Sequence, residues 1–153
     1  MPKLSACIHE GQVILSLQSQ KKMEAIRELA MRLEGAEGIA DVKRFLSLVM
    51  QREKVETTAV GRGVAIPHAH GDCVQSLVLG VGLSEQGIDF GALDGAPVRL
   101  IVMIASPARH LQDYLKAVSR VARLLNQEAC RQRILSAQTA GEVIETFKGI
   151  DRL

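Results

Sequence analysis

The stretch GRGVAIPHAHGD, Gly61 to Asp72, brings a glycine-bracketed turn, a short aliphatic run, a proline and two histidines into one segment near mid-chain. Val64-Ala65-Ile66 is apolar and β-branched enough to form a buried strand, and Pro67 stops it by removing a backbone donor and fixing φ. His68 is therefore expected at a strand end. Pro67 also biases Ile66 towards extended geometry, so the imidazole of His68 leaves the sheet in a defined direction. The fold follows from what flanks this strand.

Upstream, Val13 to Leu17 is an aliphatic run suited to an edge strand. From Lys21 the residues Met23, Ile26, Leu29, Ala30 and Leu33 recur at helical spacing between charges, predicting an amphipathic helix that Gly35 and Gly38 end. Asp41 reads as the N-cap of a second helix with Val42, Phe45, Leu46, Val49 and Met50 on its buried face, closed by Arg52 and Glu53. Downstream, Leu77 to Leu83 reads as a strand weakened by two glycines. Gly87 to Pro97 reads as a turn region on Asp94-Gly95, and Val98 to Ala105 as the strongest strand of the chain. Leu111, Leu115, Val118, Ala122 and Leu125 mark one face of a helix, and a shorter helix is expected around Glu128 to Leu135. Thr139 and Glu142 form a capping box for a last helix that Gly149 follows. The order of elements predicts an α+β fold, a three-layer α/β/α arrangement with a central mixed sheet flanked by helices. With no internal repeat or linker, residues 1–153 read as a single domain.

Composition narrows the function. Hydrophobic residues make up 47% of the chain and aromatics only 3%, which leaves little for stacking on bases or sugar rings. The net charge of +2 gives no field for a polyanion, so no nucleic acid partner is expected. Cys7, Cys73 and Cys130 are odd in number and far apart, as reduced cytoplasmic thiols are. The apolar runs are too short to enter a bilayer, so no direct membrane insertion is expected.

An imidazole near its unperturbed pKa keeps a free lone pair at neutral pH and accepts a phosphoryl group without a separate base. The transferring group needs donors for its oxygens. A glycine-rich turn and a guanidinium supply them, which makes Thr58, Gly61, Arg62 and Gly63 candidate phosphate-binding residues and Arg52 or Arg62 the candidate cation. The competing reading is that His68 merely caps a strand.

Three segments decide between these readings. QREKVETTAVGRGVAIPHAHGD, IDFGALDGAPVRLIVMIASP and YLKAVSRVARLL, in that order, resemble the type-2 IIA domains of the bacterial phosphoenolpyruvate-dependent phosphotransferase system, the fructose/mannitol and nitrogen-regulatory group. The resemblance spans most of the chain. It implies a phosphohistidine at His68 and a phosphoryl carrier that takes its group from the phosphocarrier HPr or a nitrogen-branch equivalent. It also implies onward transfer to a IIB-type domain, or control of a regulatory target through phosphorylation state, and no metal or organic cofactor. Arg52 matches the family's arginine and is the favoured charge-stabilising residue. Arg62 stands where the family usually has asparagine. Where many members have a second histidine, ungapped matching places Tyr114, with His110 one helical turn earlier. Either His110 has taken that role or Tyr114 supplies the hydrogen bond.

His68, His70 and Cys73 raise the further alternative of a metal-binding protein, since their donor types suit zinc. Alternation on a strand puts both histidines on one face but sends Asp72 and Cys73 to opposite faces, so no closed ligand set forms locally. Cys73 is expected as a small buried hydrophobe.

Overall fold

A computed structural model describes residues 2–152, with the side chain of residue 150 left aside. Its centre is β6 (Val98–Pro107), whose inward runs explain the architecture. Leu100, Val102 and Ile104 pack into one core and Ile101, Met103 and Ala105 into another, so the strand is apolar on both faces and must be covered on both. Helices α1 (Lys22–Arg32) and α2 (Val42–Val55) cover one face. Helices α3 (Leu111–Leu125), α4 (Glu128–Leu135) and α5 (Ala140–Asp151) cover the other. This is the expected three-layer arrangement around a mixed sheet.

β5 (Val78–Ile88) pairs antiparallel with one edge of β6, and β1 (Val13–Ile14) pairs parallel with β5. The other edge of β6 is shared in tandem by β3 (Val64–Ala65) and β4 (His68–Gly71), both parallel to it, and β2 (Ala59–Gly61) turns back antiparallel on β3. His68 therefore opens a strand instead of ending one. Pro67 has no N–H to give, but its carbonyl accepts from Ile104 N at 3.0 Å, so pairing with β6 resumes directly after the break.

The helix starts follow their sequence signals, but the face that α3 buries is Tyr114, Ala117, Val121 and Leu124 with Leu125, while Leu111 and Leu115 of the expected face are exposed, because docking on the sheet turns Tyr114 inward. Asp41 accepts the amide of Arg44 at 3.1 Å, the N-cap bond that starts α2. Thr139 Oγ1 accepts from Glu142 N at 3.2 Å, while the Glu142 carboxylate reaches back to Gln138 N at 2.9 Å, one residue before the expected box partner.

The end of α5, the length of β5 and the part its glycines play differ from expectation. Gly149 lies within α5, which runs on to Asp151 because that carboxylate takes Leu4 N at 2.8 Å and Ser5 N at 3.1 Å and ties the last turn to the amino-terminal segment. The glycines of β5 do not weaken it: a Cβ on Gly80 would meet Leu33 Cδ2 at 3.1 Å, and one on Gly82 would meet Leu17 Cδ1 at 3.0 Å. They are where α1 and the β1 segment press on the sheet.

Candidate functional site

The site forms where β4 begins, between the carboxyl end of α2 and the first turn of α3. His68 is half-buried, and its Nδ1 lies 2.6 Å from the carbonyl of Ile66. A carbonyl oxygen can only accept, so Nδ1 carries the proton and Nε2 keeps its lone pair. Burial pushes the His68 pKa below the usual histidine range. The Ile66 hydrogen bond opposes this, the Arg52 guanidinium adds to it, Glu53 opposes it and His70 adds to it, in decreasing order. The result at neutral pH is an uncharged nucleophile with one defined free nitrogen.

Tyr114, on the buried side of α3, sets its ring 5.6 Å from that of His68 and 4.9 Å from that of His70. The two histidines alternate along β4 onto one face, as strand geometry requires, and Tyr114 packs against both. Burial raises its phenol pKa to about 12, with Arg52 pulling the other way, so the hydroxyl is protonated at any working pH. His110, by contrast, is the exposed N-cap residue of α3 and makes no side-chain cap bond. Of the two candidates for the second-histidine role, Tyr114 is the one in contact with the His68 ring.

Arg52 occupies the last turn of α2, where Nη1 donates to the Glu56 carbonyl at 2.8 Å. This bond anchors one side of the guanidinium, and its charge reaches both His68 and Tyr114. Thr58 lies one strand away, its carbonyl accepting from Ile66 N at 3.0 Å. It is buried, and its hydroxyl and amide both serve the Glu53 carboxylate, so it is committed to the protein instead of facing a ligand.

Gly61, Arg62 and Gly63 are not brought to His68. They form the β2–β3 turn, level with Arg99 through the Gly63 carbonyl, whereas His68 pairs with Ile104. The rise from Arg99 to Ile104 along β6 is about 16 Å at roughly 3.3 Å per residue. All three residues have left-handed φ, Arg62 at 59° among them. The turn amide of Arg62 donates to Asp94 Oδ2 at 2.9 Å, and the Arg62 guanidinium to the Asn126 carbonyl at 3.2 Å. The anion held by this turn is the chain's own Asp94, which corrects the expectation of a phosphate-binding loop.

Glu53 is the residue that sequence reading missed. It is 2% exposed, pairs with Lys22 Nζ at 3.2 Å and accepts Thr58 N at 2.7 Å. The signal was present: Glu53 falls four residues after Val49, on the apolar stripe of α2, where a carboxylate needs partners.

Cys73 is buried in the core on the α1–α2 side, away from the face that His70 shares with Tyr114, and burial raises its thiol pKa. Among the described residues no three His, Cys, Asp or Glu side chains converge as a metal site would require.

The family model "Phosphoenolpyruvate-dependent sugar phosphotransferase system, EIIA 2" matches residues 6–149. The chain belongs to this family. EIIA 2 domains are phosphotransferase components that carry a phosphohistidine, and this chain is one by membership. It is 29% identical over 150 residues to the fructose-specific EIIABC component of Bacillus subtilis, covering 98% of this chain and 24% of that protein. It is 32% identical over 128 residues to a nitrogen regulatory protein of Bradyrhizobium diazoefficiens, covering 84% of this chain and 83% of that one. Among solved structures, the Escherichia coli complex of enzyme IIAMTL with phosphorylated enzyme IIBMTL contains a similar chain, with a TM-score of 0.79 at 21% identity, covering 93% of this chain and 97% of that one. At that identity the likeness is one of fold.

Proposed function

We propose that this EIIA 2 domain carries its phosphoryl group on His68 Nε2, and the observation that carries the reading is the bond from Nδ1–H to the Ile66 carbonyl. Nε2 attacks the phosphorus of an incoming phosphohistidine as the donor's N–P bond breaks and its electron pair returns to the donor ring. The product ring at His68 bears a phosphoryl group on Nε2 and a proton on Nδ1, hence a positive charge that the Ile66 carbonyl holds. That charge keeps the ring a good leaving group for onward transfer. Arg52 offsets the charge of the phosphoryl oxygens through a guanidinium fork, and the protonated Tyr114 hydroxyl is the nearby neutral donor.

The donor we propose is an HPr-like phosphocarrier, which places the protein in the cytoplasm with it. The acceptor is a IIB-type domain, a reading supported by the complex containing the similar IIAMTL chain. The nitrogen regulatory relative, matched over most of its own length, supports a second reading in which the phosphorylation state of His68 controls a target protein. We also read residues 1–153 as one domain, since α5 packs on the amino-terminal segment and both cores share one sheet. No helix among the described residues is long and apolar enough to cross a membrane.

The test is phosphorylation by phosphoenolpyruvate, enzyme I and HPr. The wild-type chain is expected to take up acid-labile, base-stable phosphate and His68→Ala none while keeping the circular dichroism spectrum of the folded chain; full labelling of the alanine variant would refute the assignment. Transfer from the labelled chain to a IIB domain then separates carriage from regulation.

A further inference from the structure

A continuous run of bonds joins α1 to the His68 ring. Lys22, the first residue of α1, sets its Nζ 3.2 Å from Glu53 Oε2 and over the Phe90 ring. The buried Glu53 carboxylate takes the Thr58 hydroxyl on Oε1 and the Thr58 amide on Oε2. The Thr58 carbonyl takes Ile66 N–H at 3.0 Å, and the Ile66 carbonyl takes His68 Nδ1–H at 2.6 Å. Of the five residues in this run, Glu53, Thr58 and Ile66 are buried and Lys22 and His68 half-buried.

We infer that Glu53, held by Lys22, is a positioning residue that fixes the tautomer and orientation of His68 through Thr58 and Ile66, a role that rests on His68 being the phosphoacceptor. The reasoning is geometric. A neutral imidazole has two tautomers of similar energy, and whichever nitrogen finds an acceptor keeps the proton. The acceptor here is a single carbonyl just after the two-residue strand β3, in the gap between the Ala65–Ile101 pairing and the Pro67–Ile104 bond with which pairing to β6 resumes. What fixes Ile66 is its own N–H bond to Thr58, and what fixes Thr58 is the two-handed grip of Glu53. β2 is only three residues long and its pairing to β3 is irregular between Ala59 and Gly61, so the ladder alone is a weak clamp. Successive bonds along such a chain also polarise one another in a site shielded from water. A carboxylate at position 53 accepts from both Thr58 groups and from Lys22 at once, and an amide cannot.

The experiment is 15N NMR of the histidine rings in the unphosphorylated full chain at neutral pH, with single-turnover phosphorylation by phospho-HPr on the same variants. Wild type is expected to show His68 as the Nδ1–H tautomer alone. Glu53→Gln is expected to show a mixture of tautomers and a transfer rate about 10- to 100-fold lower, the size of loss that follows when the outer partner orienting a metal-bound histidine is removed, with the half-saturating donor concentration unchanged. Thr58→Val, which removes the hydroxyl but keeps the backbone links, is expected to show a smaller shift in the same direction and serves if Glu53→Gln does not fold. Glu53→Gln combined with Lys22→Met removes both charges and is expected to keep the mixed tautomers. A wild-type ring spectrum in whichever of these variants folds, or a rate loss expressed only in donor affinity, overturns the inference. The ring spectrum needs no phosphoryl transfer, so it reports on the network even if His68→Ala were to show that the phosphoacceptor lies elsewhere.

Discussion

Two arginines compete on paper for the phosphoryl charge, and their side-chain partners separate them. Arg52 is anchored at the end of α2 with its charge felt at the His68 ring, while Arg62 is spent on the carboxyl end of α3 about 16 Å along the sheet. A lysine keeps the charge but not the fork, so Arg52→Lys should slow transfer on the order of a hundred- to thousandfold, and Arg62→Ala should stay within a few-fold in the same rapid-quench assay. In that series Tyr114→Phe should fall clearly below wild type and His110→Ala should match it, since Tyr114, not the exposed His110, packs on the His68 ring. The pH response follows from the depressed His68 pKa, whose largest cause is burial. Transfer should be level through neutral pH and decline only on the acid side of the ordinary histidine value near 6.5. For stability the sign is the same. Between the folded and unfolded pKa values the unfolded chain binds more protons, so the contribution of His68 is complete above 6.5 and is lost as pH falls towards the folded value. Urea melts across that interval would isolate it as a pH dependence that wild type has and His68→Ala lacks.

At the scale of single elements, α2 and β5 show how differently local signals translate. Asp41 was readable as a cap because its carboxylate needs only a neighbour three residues on, and Asp41→Ala should cost about 1 kcal/mol in a urea melt. The glycines of β5 read as flaws because nothing local says what approaches them. The side chains of Leu29 and Leu33 do, and Gly80→Val should therefore destabilise by about 1–3 kcal/mol through overpacking, despite the higher strand propensity of valine. The same limit applied at β4. Pro67 announces a break to any reader of the sequence, but the resumption of pairing at His68 depends on β6, thirty-odd residues later, offering Ile104 and its successors.

For the molecule as a whole, the two cores on either side of β6 decide which groups meet solvent. Cys7 and Cys73 are buried with raised thiol pKa values, Cys7 to about 11, while Cys130 on α4 is only half-buried. A disulfide reagent should titrate one thiol rapidly in the native protein and the other two only on unfolding, and Cys130→Ser should abolish the rapid phase. The layers themselves were legible in the sequence, because a strand apolar on both faces and helices with one apolar stripe allow few arrangements. The family was legible too, carried by residue types at fixed spacing around Pro67, and the same residues led to His68 and Arg52 as the proposed phosphoacceptor and cation. The sequence could not place the Gly61–Gly63 turn, since a left-handed glycine turn holds a phosphate or a carboxylate equally well and only the approach of Asp94 from the far side of the chain decides which. Nor could it tell which of His110 and Tyr114, one helical turn apart, lies beside the His68 ring until α3 had docked on the sheet and turned Tyr114 towards β4. Glu53 was decided last of all. Its position on an apolar stripe was visible, but its partners Lys22, Thr58 and, through Ile66, His68 come from three other elements, and only tertiary packing brings them within hydrogen-bonding reach.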